Sequence, residues 1–133
     1  MGALIDASIL IDVERGSLDL DQLLLKSADL ELAISAFTAS ELLHGVHRGT
    51  KKSHRASREV FVERLLEVWP VLPFDLTAAR LHGRLWVDLT AKGISIGDHD
   101  LLIGATALAN GMAVATRDKR SFPNIPGLQV VLW

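Results

Sequence analysis

Short apolar runs that stop at or near a carboxylate recur along this chain, and they constrain its fold more than any other feature. Ala3-Leu4-Ile5 stops at Asp6, Val71–Phe74 stops at Asp75, and Met112–Thr116 is followed two residues later by Asp118. Leu30–Ser35 and Gln129–Leu132 are similarly brief and apolar. Such runs read as strands buried on both faces. Helical patterns separate them. They cover Leu18–Leu25, a short stretch from Thr38 to about Gly49, Lys51–Trp69 before Pro70, Thr77–Lys92 before Gly93, and Asp98–Asn110 before Gly111. Ser8–Val13 fits either a helix start or more strand. Val60, Leu65, Leu66 and Trp69 are expected to face inward on one helix, and Ala78, Leu81, Leu85, Trp86 and Leu89 on the next. Strands alternating with helices predict an α/β three-layer sandwich. Its central, mostly parallel sheet has about five strands, with helices on both faces. The chain has 133 residues and no linker, repeat or low-complexity segment, so residues 1–133 are expected to form one domain.

In a sheet of this kind, functional groups collect beyond the carboxyl ends of the strands. Asp6 ends the first strand, and Glu41 lies on the helix after the second. Asp118 follows the fourth, and Asp100 lies in the first turn of the helix before it. Each acid also has a plain structural use. Asp6 is placed to end a strand or to cap the segment after it. Thr38–Glu41 spells T-A-S-E, a capping box. Asp98 is placed as the N-cap of its helix, which leaves Asp100 at the second helical position. Asp118 suits a turn in TRDKRS.

Their joint placement is harder to explain structurally. Two carboxylates about 5 Å apart repel by roughly 3 kcal/mol at an effective dielectric near 20. Several together would consume a good part of the roughly 5–15 kcal/mol that stabilises a domain. They must take up protons, pair with cations or bind metal, and no Lys or Arg is close in sequence to Asp6 or Asp100. An all-oxygen site favours Mg²⁺, with Mn²⁺ possible, over zinc. The chain has no cysteine, which excludes disulfides and thiolate chemistry. His44 and His47 are three apart but lack a third ligand.

Net charge is −2 and the pI is about 6.2, which does not announce a nucleic-acid binder. The distribution says more. No acid falls between Glu41 and Glu59, whereas Arg48, Lys51, Lys52, Arg55 and Arg58 do. This segment is either a phosphate-binding strip or a solvated face. No apolar run approaches the roughly 18 residues of a membrane span, and the N-terminus lacks a basic leader, so a cytoplasmic protein is expected.

Four motifs stand in this order between Leu4 and the C-terminal Trp133: LIDASIL, TASELLHG, IGDHDLLIGATALANG and VATRDKRSFPNIPGLQVVLW. Together they resemble the PIN-domain ribonucleases, specifically the VapC-type toxins of toxin–antitoxin pairs. The resemblance implies a PIN-like fold, Mg²⁺-dependent endonucleolytic hydrolysis of RNA, a cognate antitoxin and a homodimer. The family's first three acids match Asp6, Glu41 and Asp100, the fourth polar position matches Asp118, and the nearby hydroxyl matches Thr116. Asp98 is a departure, because the family often has a non-acidic residue there. Asp6 and Asp100 would hold the principal ion, Asp118 would complete the site, and Glu41 would position or deprotonate the attacking water. Ser8 and Thr116 would fix the acids' rotamers. A non-cleaving PIN-like module that holds RNA or protein is the alternative, but none of the acids is missing. A dehalogenase-like phosphatase needs a second Asp where Ser8 stands, and a receiver domain built on Asp75 lacks its late Lys. Leu20, Leu23, Leu24 and Leu25, with Trp86 and Leu89, are expected to leave apolar surface for a second copy or an antitoxin peptide.

Overall fold

Alternating side chains along the central strands feed two separate cores, and that requirement sets the layers. The computed structural model describes residues 1–133. In chain order its elements are β1 (Gly2–Ile5), α1 (Ala7–Glu14), α2 (Leu20–Lys26), β2 (Glu31–Ser35), α3 (Ala36–Arg48), α4 (Lys52–Val68), β3 (Val71–Leu72), α5 (Leu76–Ala91), α6 (Asp98–Ala109), β4 (Ala113–Thr116), a 3₁₀ turn (Phe122–Asn124) and β5 (Val130–Leu132). The strands form one sheet in the order β3-β2-β1-β4-β5, and every pairing is parallel. Ala3, Ile5, Ile34, Ala113 and Ala115 point to one face and pack with α1, α2, α3 and α4. Leu4, Ala33 and Val114 point to the other and pack with α5, α6 and the 3₁₀ turn. A parallel sheet covered on both faces needs this all-apolar pattern. No helix is long and apolar enough to cross a membrane.

The expected sandwich is therefore present, with several local corrections. Ser8–Val13 is helix, part of α1. β3 stops at Leu72, because Pro73 has no N–H to continue a ladder. Asp75 caps α5, its Oδ1 accepting from Ala78 N at 3.0 Å, so it is not a free acid at the sheet edge. On α4, Val62 and Leu65 are buried, whereas Val60 is 57% exposed. At about 100° per residue, Val60 falls on the far side of the helix from Val62. On α5, Ala78, Leu85 and Leu89 are buried, whereas Trp86 is 61% exposed. Leu89 thus belongs to the core and not to the exposed apolar surface. In α2, Leu23 is buried, Leu20 and Leu24 are half-buried, and Leu25 is exposed.

One glycine is required by a close approach. A Cβ on Gly104, in the buried middle of α6, would stand 2.6 Å from Ile125 Cδ1, and Ile125 is itself buried. Gly83, on exposed α5 surface, has nothing within 4 Å. Gly104→Val is therefore expected to destabilise by about 1–3 kcal/mol through overpacking. Gly83→Ala is expected to stabilise by about 0.5–1 kcal/mol through helix propensity. Urea unfolding of both variants checks the pair, and equal midpoints would refute the packing assignment.

Candidate active site

β1 and β4 are neighbours, yet the chain leaves them in opposite directions across the sheet, so a crevice opens beyond their carboxyl ends. Asp6 comes directly after β1 and is 7% exposed. Its backbone N–H donates to Ala115 O at 2.8 Å, which ties it to β4. Asp6 occupies the N-cap position of α1, but its side chain makes no cap bond. Instead, Oδ2 accepts from Ser8 Oγ at 2.7 Å and from Thr116 Oγ1 at 2.9 Å. Both hydroxyls thus engage the same carboxylate oxygen, and Oδ1 has no protein donor. Thr116 Oγ1 also accepts from Asp118 N at 3.0 Å, and Asp118 Oδ1 accepts from Arg120 N at 2.8 Å. Asp118 is therefore a turn residue and a member of the cluster at once.

The other two acids arrive on helices, and both helix starts differ from expectation. T-A-S-E is not the capping box of α3. β2 runs straight into the helix, so the cap is Ser35, whose Oγ accepts from Thr38 N at 3.0 Å. Glu41 then lies well inside the helix and is free for the crevice. In α6 the N-cap is Gly97, and no side chain caps the helix. Asp98 is already the first helical residue and is exposed. Asp100, one position further in than expected, remains in the first turn beside the positive end of the dipole.

Glu41 and Asp100 feel the acids around them. Glu41 titrates above the usual carboxylate value, chiefly because burial disfavours its charge; the His99 hydrogen bond offsets part of this, and the charges of Asp6 and Asp100 add to it. Asp100 is also raised, first by burial and then by the charges of Asp6 and Asp118, partly offset by the Ser121 hydroxyl. No Lys or Arg nitrogen lies within 4 Å of any of the four carboxylates. The one basic side chain in contact with the cluster is His99, whose Nδ1 lies 3.1 Å from Glu41 Oε1. His99 and Ser121 escaped the sequence reading. Their sole signal was position, between the acids of G-D-H-D and shortly after Asp118.

Hard carboxylate oxygens without cationic partners have the donor chemistry for Mg²⁺ or Mn²⁺. No three of the side chains close into a ready ligand shell, so Asp6, Asp100 and Asp118 do not form one.

The basic strip divides. Arg58 is committed structurally, with Nε 2.6 Å from Glu14 Oε1 and Nη1 donating to Gly45 O at 3.1 Å. Arg48 lines a cavity of about 460 Å³ together with Glu41, His44 and His99. Lys51, His54 and Arg55 line an adjoining cavity of about 270 Å³, to which Lys52 does not contribute.

A doubly wound parallel sheet with acids converging at its switch point is the architecture of a defined class. The PIN domain matches residues 3–128, and the chain belongs to that family. Among its relatives is the Ribonuclease VapC1 of Rickettsia felis, 35% identical over 98% of this chain and 96% of the relative. The tRNA(fMet)-specific endonuclease VapC of Salmonella typhimurium is 32% identical over 77% of this chain and 75% of the relative. Among solved structures, the VapBC2 complex of Rickettsia felis bound to a promoter DNA fragment superposes with a TM-score of 0.87 at 27% identity, covering 100% of this chain and 99% of that one.

The raised Asp100 titration has a signed consequence. Between its unfolded value of 3.8 and its higher folded value, the native state holds more protons than the unfolded state. Stability therefore falls as pH rises through that window and stays reduced at neutral pH. Without metal, Asp100→Asn is expected to raise Tm at pH 7, and the gain should vanish as pH falls below the unfolded value. Asp98→Ala loses no cap bond and is expected to move Tm little. Thermal melts in EDTA across pH check both, and a gain that persisted unchanged at acid pH would contradict the electrostatic cause.

Proposed function

We propose that this protein is a divalent-metal-dependent endoribonuclease that acts in the cytoplasm as the toxin of a toxin–antitoxin pair. One observation carries the proposal: four carboxylates from distant positions share the switch-point crevice, and no Lys or Arg pairs with any of them. Unpaired clustered charge costs stability, and a site that retains it has a use for a cation. The names of the relatives, ribonuclease and endonuclease, give the reaction class.

In this reading Asp6 and Asp100 would hold the ion, and Asp118 would complete the site. When bound, the ion supplies Lewis acidity toward water and offsets charge building on the phosphodiester. Ser8 and Thr116 occupy Asp6 Oδ2, so Oδ1 is the oxygen left to offer. Glu41 takes the proton from the attacking water. Burial raises its proton affinity toward that task, and His99 fixes its orientation from Oε1.

RNA reaches the acids along the cavities lined by Arg48, Lys51 and Arg55. Lys51, Lys52 and Arg55 stand at the N-terminal end of α4, which has no acid in its first turn. Cations there oppose the helix dipole, a local cost that a bound phosphate would offset. Apolar side chains exposed on the surface, Leu25 at 78% among them, support an antitoxin or a second copy as protein partners. The VapBC complexes among the structural relatives support the former.

Purified protein is expected to cut RNA internally in Mg²⁺ or Mn²⁺ and to stop in EDTA. Asp6→Asn and Asp100→Asn should each lose at least about a hundredfold in rate while remaining folded. Cleavage that survived chelation and both substitutions would falsify the proposal. Changing Arg48, Lys51 and Arg55 together to Gln should flatten the salt dependence of RNA binding by about two log units per log unit of salt, at roughly 0.7 per single-strand phosphate contact. An unchanged slope would return these residues to an ordinary solvated face.

A further inference from the structure

A third cavity, of about 470 Å³, opens between α5 and the segment that leads into α6. His82, Trp86 and Thr90 line it from α5, and Ser95, Asp98 and Leu101 line it from the other side. A continuous row of rings links it to the catalytic crevice. His99, the partner of Glu41, lies 6.2 Å from Phe37; Phe37 lies 5.4 Å from Phe74; Phe74 lies 5.9 Å from His82; and His82 lies 5.6 Å from Trp86. His82 and Trp86 are one helical turn apart on α5, tilted 49° to each other. Trp86 is 61% exposed and contributes nothing to the core.

We propose that this cavity binds one unpaired guanine base of the RNA substrate, with Trp86 and His82 offering ring faces and Asp98 reading the base edge. The proposal rests on the ribonuclease reading. Unpaired bases are recognised by stacking on aromatic side chains and by hydrogen bonds to their Watson–Crick edges. Asp98 makes no cap bond and pairs with no cation, so both its oxygens are available as acceptors. A carboxylate accepts only, so it selects an edge with two adjacent donors. Guanine presents N1–H and N2–H₂ side by side. Adenine, cytosine and uracil each present a single donor group on that edge. Asp98 and Asp100 share the first turn of α6 and leave it on opposite sides, so a base held at Asp98 lies across the helix start from the catalytic cluster. A second copy of the chain is the rival occupant, but it would place the Asp98 carboxylate in the middle of an interface, where charge is depleted and costly.

The test uses the full chain in EDTA and fluorescence anisotropy of labelled hexanucleotides, UUGUUU against the same strand with inosine or adenosine at the third position. Inosine keeps N1–H and lacks the N2 amine. The guanosine strand is expected to bind about tenfold more tightly than the inosine strand, the share of one good base contact. Asp98→Asn should bring that ratio close to one, and Trp86→Ala should weaken all three strands together. Equal affinity for the three strands, or an undiminished guanosine preference in Asp98→Asn, overturns the proposal. So does a Trp86→Ala variant that dissociates a dimer in sedimentation while keeping the preference, because the cavity then belongs to the second copy. Adding Mg²⁺ separates the two readings. Guanosine-selective binding without cutting leaves the base site standing and removes the nuclease, whereas cutting without selectivity removes the base site alone.

Discussion

The register of β1 against β4 is the constraint on which the site depends. Ala3, Leu4 and Ile5 pair with Ala113, Val114 and Ala115, and the next step along brings Asp6 beside Thr116. That step produces the Thr116 Oγ1 to Asp6 Oδ2 bond, 110 positions apart in sequence. A slip of one residue would turn Thr116 to the opposite face and move every core side chain of the strand with it. The two cores prevent this, because Ala115 is needed on one face and Val114 on the other. Packing on the faces thus holds the chemistry at the edge.

The same arrangement sets stability against function. Burial and mutual repulsion raise the proton affinity of Glu41 and Asp100, so the fold carries unfavourable charge at neutral pH. No Lys or Arg neutralises that charge. Ser8 and Thr116 orient Asp6, His99 orients Glu41, and Asp118 is bound into a turn through Arg120 N. Hydroxyl, imidazole and backbone N–H donors fix where the oxygens sit. Arginine is used for ordinary anchoring elsewhere, as in Arg58 with Glu14 and Arg117 with Asp12.

Much of this was legible from the chain. Apolar runs ending in acids, separated by helical periodicity, suffice for a parallel sheet with Asp6, Glu41, Asp100 and Asp118 toward one edge. Helix starts were less legible. T-A-S-E satisfies the capping box by pattern, yet Ser35 is the cap because β2 enters α3 without a loop. Asp98 has the chemistry of a cap, yet Gly97 holds the position. Such choices are decided by where the preceding segment arrives, which no local pattern records.

The sequence by itself determined the layers, the strand and helix order, and which residue types reach the carboxyl edge, because burial periodicity is local and written in consecutive side chains. The tertiary structure alone decided which oxygens are engaged and which residues meet. His99 meets Glu41 across 58 positions, Trp86 turns outward while Leu85 and Leu89 turn in, and the five basic residues divide between anchoring, cavity and open surface. These outcomes depend on the relative rotation of α3, α4, α5 and α6 about the sheet. That rotation is set by packing between elements distant in sequence, so no single segment encodes it.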